Sequence, residues 1–313
     1  MQHYWSLEKV HLENSWLTIG SFDGVHRGHQ AILKKLVGGS HASGVSAVAL
    51  TFYPHPAAVL RNRQEPFYLT TAEERAALIG KLGVDVVVTL PFDIDTASMS
   101  AHDFIARAHR YLRPSHLLVG YDFALGRNRE GDVTRLRQLG SEFGYTLDIM
   151  HPVKLEGETI SSSQVRAALA TGDVERAERM LGRPYQLGGE VVHGDGRGRL
   201  LGIPTANLNI WTKRVLPKFG IYVCKAHIDG LIWGAVTNVG VRPTFENQSS
   251  TPTVEAYILE MDQDLYGKQV SLDFIAHLRD EERYTNVQDL VDQIHQDIAM
   301  ASQVLDRKPS FAD

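Results

Sequence analysis

Hydrophobic positions in the first half of the chain come in short unbroken runs separated by stretches of helical periodicity. Residues 16–20 (WLTIG), 45–52 (VSAVALTF), 84–90 (VDVVVTL), 116–119 and 146–150 are the runs, and each predicts a strand. Between them, residues 30–36 place Ile32, Leu33 and Leu36 on one helical face. Thr71 with Glu74 forms a capping-box pattern that opens a helix to about Lys81, and residues 101–111 and 133–143 read as two more helices. Continuous apolar strands alternating with helices predict a parallel sheet covered on both faces. Such a sheet receives its ligands at the carboxyl ends of its strands.

The pattern changes after two short helices, at residues 163–170 and 174–181. Leu181-Gly182-Arg183-Pro184-Tyr185 is a stop signal. Beyond it, runs rich in β-branched residues are divided by Gly, Pro and Asn, at 190–193, 221–226, 232–239, 253–259 and 270–274. Short strands at regular spacing predict a small antiparallel barrel. A helix near 287–304, with Leu290, Ile294 and Ile298 as its buried stripe, closes the chain. The expected fold class is therefore α/β: a Rossmann-like parallel-sheet domain over 1–184, then an antiparallel β-barrel with a C-terminal helix over 185–313.

Composition narrows the function. A length of 313 residues suits two domains, and 43% apolar with 22% charged residues is ordinary for globular cores. The net charge of −5 argues against generic nucleic-acid binding, which needs a basic face. The single cysteine, Cys224, excludes an intrachain disulfide and a Cys-rich zinc site. The first residues lack an apolar signal core, and no run approaches 18 consecutive apolar residues, so a cytoplasmic enzyme without membrane spans is expected.

The candidate chemistry of the first half lies between the first strand and the first helix, in the run from Gly20 to Gln30 (GSFDGVHRGHQ). His26, Arg27 and His29 fall in the first helical turn, where the helix dipole disfavours cations. They suit that place if an anion sits in front of them. Gly28 inside the turn costs about 1 kcal/mol against Ala, which close approach of a ligand or backbone would explain. Gly20, Phe22, Asp23 and Gly24 line the same loop. Ser161-Ser162-Ser163-Gln164-Val165-Arg166 repeats the logic: Ser162 and Ser163 offer cap donors and Arg166 lies in the first turn with no acid beside it. An ordinary serine cap with a solvated arginine would look the same. The prolines of Thr51-Phe52-Tyr53-Pro54-His55-Pro56 stiffen a second loop. Asp122, after the strand at 116–119, sits at a third strand end and could equally belong to a routine turn. No G-x-x-x-x-G-K-[ST] run is present, so an ordinary P-loop is excluded.

The second half has its own run, from Gly194 to Asn207 (GDGRGRLLGIPTAN). Gly194, Gly198, Arg199 and Gly202 could wrap a polyphosphate with backbone donors and charge. In extended chain Thr205 and Asn207 point the same way, and their oxygens suit a hard cation such as Mg²⁺. A flexible loop leading into a strand remains the plain alternative. Glu255 shares a strand face with Tyr257 and Leu259, as a general base for a hydroxyl or as a solvated glutamate.

Taken together, these segments resemble the bacterial bifunctional riboflavin kinase/FAD synthetase family over nearly the whole chain. The N-terminal matches are GSFDGVHRGHQ, TFYPHP, VGYDFALGRNREG and ISSSQVR. The C-terminal matches are LGRPY, GRLLGIPTANL, LPKFGIYV, NVGVRPTF and VEAYILEMDQDLYGK. The resemblance implies FMN adenylyltransferase activity in the first half and riboflavin kinase activity in the second, with riboflavin, FMN and ATP as small-molecule substrates and Mg²⁺ accompanying ATP. It implies that His26 and His29 stabilise ATP phosphates, that Ser162, Ser163 and Arg166 hold the pyrophosphate part, that Thr205 and Asn207 organise Mg-ATP, and that Glu255 takes the proton of the ribityl hydroxyl. Leu125 and Ile203 stand where the family often has Phe; both stay apolar, which touches ligand fit rather than chemistry. Two rival readings stay open: another nucleotidyltransferase carrying a non-catalytic flavin-binding barrel, and a flavin-binding protein without turnover.

Overall fold

The structure, a computed structural model, describes residues 1–62, 65–194, 196, 198, 201–242 and 251–307. By Cα packing the chain divides into two compact units, Met1–Ser162 and Ser163–Asp313.

The first unit is a six-stranded sheet. Its strands are β1 (Gln2–Tyr4), β2 (Ser15–Ile19), β3 (Ser46–Tyr53), β4 (Val86–Pro91), β5 (Pro114–Gly120) and β6 (Thr146–Met150), in the order β1-β4-β3-β2-β5-β6. Every pairing in this sheet is parallel; a separate antiparallel hairpin of β7 (Lys154–Leu155) with β8 (Glu158–Thr159) follows it. The helices are α1 (Arg27–Ala42), α2 (Pro56–Leu60), α3 (Ala72–Lys81), α4 (Ile94–Ser98), α5 (Ala101–Leu112) and α6 (Val133–Phe143). Strand alternation explains why the apolar runs are unbroken. Leu17, Ile19, Val48, Leu50, Val86 and Val88 face the layer containing α5 and α6. Ala47, Ala49, Val87 and Leu118 face α1 and α3 through Leu33, Leu36, Ala76 and Ile79. The capping box of α3 is formed as expected: Glu74 N donates to Thr71 Oγ1 at 3.1 Å, and Thr71 N to the Glu74 carboxylate at 2.9 Å.

Strand order also explains where a ligand belongs. From β2 the chain steps to β3 and β4 on one side, then returns to β5 on the other. Such a reversal opens a crevice beyond the carboxyl ends of the central strands, and here those ends lead into the 20–26 loop and into Tyr121-Asp122. Strand β1 was not expected; Gln-His-Tyr carries no apolar run, and its place comes from parallel pairing with β4, where Gln2 N donates to Asp85 O.

Helix α7 (Ser162–Ala170) begins at the last residue of the first unit and otherwise belongs to the second, where α8 (Val174–Leu181) buries Val174, Ala177, Met180 and Leu181. The strands β9 (Tyr185–Val192), β10 (Ala206–Asn209), β11 (Gly220–Ile228), β12 (Leu231–Arg242), β13 (Thr251–Ile258) and β14 (Gln269–Arg279) close an antiparallel barrel in the order β10-β13-β12-β11-β14-β9, the ends joined by β9–β10 pairing. α8 packs against β9 and β14. Strand β9 is longer than the run at 190–193 suggested. Gly188 and Gly189 interrupt its apolar pattern, and the second is there for space: a Cβ on Gly189 would lie 2.5 Å from Asn209 O on the neighbouring strand. Inward positions include Leu187, Leu208, Tyr222, Cys224, Ala235, Thr237, Val239, Val254, Ala256, Leu272 and Phe274, all buried. A final helix, α9 (Val287–Arg307), lies on the outer surface against Val223, Val236, Leu259 and Ile275. Its deepest residues are Ala301 and a carboxylate, Asp297, rather than the expected Leu290 and Ile294. Among the described residues no helix is long and apolar enough to cross a membrane.

Candidate active sites

The loop after β2 takes an uncommon path. Phe22, Gly24 and Val25 all have positive φ, at 47°, 78° and 43°. Side chains other than glycine seldom tolerate that, and such strain persists only where the surroundings enforce it. The enforcing contacts are visible. Asp23 is fully buried, and its carboxylate accepts from Leu69 N at 3.0 Å and from Thr70 N and Thr70 Oγ1 at 3.2 Å. Gly24 N donates to Thr70 Oγ1. Ser162 Oγ donates to Asp23 O at 2.9 Å, so the start of the serine-rich run is fastened to the same loop.

His26 ends the loop and caps α1, its Nδ1 accepting from His29 N at 3.3 Å. Helix α1 therefore begins at Arg27, earlier than its apolar stripe indicates. The His26 and His29 rings stack with centroids 3.6 Å apart and an 18° angle between planes, and Phe22 meets His29 edge-on at 5.2 Å. The close neighbour that Gly28 makes room for is the His26 ring: a Cβ there would lie 3.0 Å from its Cε1. Gly20 likewise lies under the Phe22 ring. His29 keeps a partly exposed edge, while its Nδ1 is buried without a hydrogen-bond partner. Burial first, then the positive neighbours His26, Arg75 and His55, hold the His29 pKa well below that of a free histidine. The ring is neutral at physiological pH.

Arg75, on α3, was not singled out from the sequence. It is completely buried, its Nη1 donating to Ser21 O at 3.0 Å and Nη2 to Phe52 O at 2.8 Å. One guanidinium thus ties the loop that follows β2 to the carboxyl end of β3. His55, from the proline-stiffened loop, caps α2 through Nδ1, and its N donates to Tyr68 Oη. Two cap histidines, His29 and Arg75 therefore converge at the carboxyl ends of adjacent strands, an arrangement suited to a polyanion. Asp122 is exposed just past β5, its Oδ1 3.4 Å from where a Cβ on Gly120 would stand. Ser163 and Arg166 lie in the first turns of α7, the serine exposed and the arginine half-buried.

In the second unit, Thr205 and Asn207 lie outward, with Ile203, Ala206 and Leu208 buried between and beside them. Gly194 and Gly198 come close to them. A Cβ on Gly194 would collide with the Asn207 amide, and one on Gly198 would collide with Ile203 O and stand 3.4 Å from Thr205 Oγ1. Gly198 O accepts from both Leu201 N and Ile203 N, and exposed Gly202 turns with φ 75°. Arg199 lies outside the described residues. Glu255 is directly opposite Asn207 on one side and Asn238 on the other. Facing residues in an antiparallel ladder share a sheet face, about 5 Å apart at Cβ. Asn207, Glu255 and Asn238 therefore form one row on the outer face of β10, β13 and β12. Asn238 carried no charge or periodicity to mark it; only strand register reveals it. Glu281 comes to the same face, where a Cβ on Gly240 would meet its carboxylate. Among the described residues, no group of three or more His, Cys, Asp or Glu side chains could hold a metal.

Comparison with known proteins agrees with this division. The family model described as FAD synthetase matches residues 8–164, and the one described as riboflavin kinase matches 181–305. The bifunctional riboflavin kinase/FMN adenylyltransferase of Pseudomonas fluorescens is 40% identical over 285 residues, covering 91% of each chain. The protein of the same description from Bacillus subtilis is 34% identical over 298 residues, covering 94% of each. A crystal structure from Streptococcus pneumoniae, described as a macrolide-efflux protein, superposes with a TM-score of 0.86 at 28% identity, over 96% of this chain and 98% of that one. Two matched modules in this order, and relatives above 30% identity over nine-tenths of their length, place the chain in the bifunctional riboflavin kinase/FMN adenylyltransferase family.

Proposed function

We propose that this chain makes FAD from riboflavin in two ATP-dependent transfers, with residues 1–184 as the adenylyltransferase domain and 185–313 as the kinase domain. The observation that carries the reading is the presence of two separate polyanion-type sites, each within the segment matched by the corresponding family model.

In the kinase step the terminal ribityl hydroxyl of riboflavin attacks the γ-phosphorus of ATP, its proton passes to Glu255, and ADP leaves. Thr205 and Asn207, beside Gly198 and Gly194, would hold the nucleotide phosphates together with Mg²⁺. The fit is chemical: both side chains offer neutral oxygens on one face, and Mg²⁺ takes few protein ligands when phosphates and water complete its octahedron. The ion would neutralise charge on the transferring phosphoryl group. Gly202 and Arg199 belong to the same nucleotide loop.

In the second step a phosphate oxygen of FMN attacks the α-phosphorus of another ATP, and pyrophosphate leaves. No covalent enzyme intermediate is needed. With His26 Nδ1 occupied as an acceptor, a neutral His26 carries its proton on Nε2 and is a donor. His29 is a second neutral donor; by the family resemblance Arg166 and Ser163 serve the departing pyrophosphate with charge and a hydroxyl, while Ser162, whose hydroxyl proton goes to Asp23 O, fixes the start of that run. Catalysis is positioning and preorganised electrostatics. Gly20, Phe22, Asp23, Gly24, Gly28 and Asp122 shape the nucleotide site, Asp23 by fixing the loop rather than by reaching outward. The partners are small molecules, not nucleic acid, and consumption of ATP with a lone buried cysteine suits the cytoplasm.

The test is incubation with riboflavin and Mg-ATP followed by separation of FMN from FAD, run beside Glu255→Gln. Wild type should accumulate both products. The Gln variant should lose about 10²–10⁴-fold in FMN formation yet still convert supplied FMN to FAD. FAD formation from FMN without any FMN formation from riboflavin would instead favour a nucleotidyltransferase with a non-catalytic flavin-binding barrel.

A further inference from the structure

Asn238 has no role in the two steps above, yet its surroundings mark it. It is the immediate cross-strand neighbour of Glu255, on the side opposite Asn207. Its Oδ1 is buried and has no hydrogen-bond partner. Leaving a buried carbonyl oxygen unpaired is unfavourable, so an acceptor kept in that state beside a reactive group calls for a donor from outside the protein. The order of the row says which donor. Asn207 lies against Gly194 and so on the phosphate side of Glu255. Asn238 is then on the side from which the alcohol must come, because the attacking oxygen has to approach in line, opposite the leaving ADP.

We propose that Asn238 binds the polyol chain of the acceptor substrate, its Oδ1 accepting a hydrogen bond from the ribityl hydroxyl next to the one that Glu255 deprotonates. This rests on the kinase reading of the barrel. It also gives Glu255 a geometric partner: with the neighbouring hydroxyl held by Asn238, the terminal one is confined to the carboxylate. A chain lacking that second hydroxyl would sit loosely and react poorly, so the site selects polyols over simple alcohols.

The experiment measures FMN formation by the full-length protein with riboflavin and with 4′-deoxyriboflavin, for wild type, Asn238→Leu and Asn238→Asp. Loss of one hydrogen bond to a neutral group should raise the KM for riboflavin by between about twofold and about tenfold in the Leu variant, with the KM for ATP unchanged. Asp keeps an acceptor in place and should restore the riboflavin KM, while kcat falls because a second carboxylate adjoins Glu255. The deoxy substrate should be penalised in wild type and not further penalised in the Leu variant. If Leu does not fold, the Asp variant and the deoxy substrate still decide. A deoxy substrate handled like riboflavin by wild type, or a change in the ATP KM alone, overturns the assignment. A wild type that forms no FMN at all overturns the kinase reading itself, which is a different result from an active wild type matched by its Leu variant.

Discussion

His29 is clamped between the stacked His26 ring and the edge of Phe22, with its Nδ1 sealed from water. Because its pKa lies well below the free value, the unfolded chain binds a proton near pH 6.5 that the folded one refuses. Stability therefore rises with pH through that region and is flat above it; on acidification below about pH 6.5, His29 should cost up to about 1.4 kcal/mol per pH unit. Denaturant melts at pH 7.5 and 5.5 measure this, and His29→Ala should flatten the difference. The same substitution removes one preorganised donor, so FAD formation from FMN should fall by about 10²–10³ while FMN formation from riboflavin persists. Equal loss of both activities in a folded variant would contradict two independent sites. The pair His26 and His29 stands out in the sequence because imidazoles beside an arginine at a helix start need a reason; the fold makes one of them the cap and keeps the other neutral. Arg75 was not: in Ala-Glu-Glu-Arg it reads as one more solvated residue of a capped helix, and only the fold shows it buried against Ser21 and Phe52.

At the scale of elements, α9 is attached to the barrel by charge as well as by apolar packing. Arg279, at the end of β14, donates through Nη2 to Asp297 Oδ2 at 2.7 Å and through Nε to Oδ1 at 3.0 Å, and Gln293 adds a bond to the same carboxylate. Asp297 is 1% exposed. Breaking such a pair from one side costs about 3–5 kcal/mol when the remaining charge is buried; Arg279 keeps some solvent, so Asp297→Ala should lose about 2–3 kcal/mol. A chemical-denaturation curve of the variant checks this, and a midpoint matching wild type would show that the apolar contacts suffice. The elements were legible wherever periodicity was uninterrupted, as in β2 to β6 and α3. They were obscured where close packing demanded glycine, as in β9, or where pairing alone makes a strand, as in β1. The buried stripe of α9 was misread because its deepest position is a carboxylate, which hydrophobic spacing cannot reveal.

For the whole molecule, the packing division after Ser162 and the stop signal at Gly182 differ by two helices. α8 buries Val174, Ala177, Met180 and Leu181 against the strands of the barrel. Each such side chain contributes about 1–3 kcal/mol, so a fragment of residues 163–313 should melt well above one of residues 182–313, while both retain the described barrel and phosphorylate riboflavin. Identical melting temperatures would place α8 outside the barrel's cooperative unit. The interior of that barrel holds Cys224, 0% exposed, with burial pushing its thiol far above the ordinary range. Since the thiolate is the reactive form, an alkylating reagent finds nothing to attack until the staves part. One thiol per chain, lodged in one module, turns mass-spectrometric alkylation into a clock for the opening of that module alone, readable in a crude extract and deaf to whatever the first 162 residues are doing.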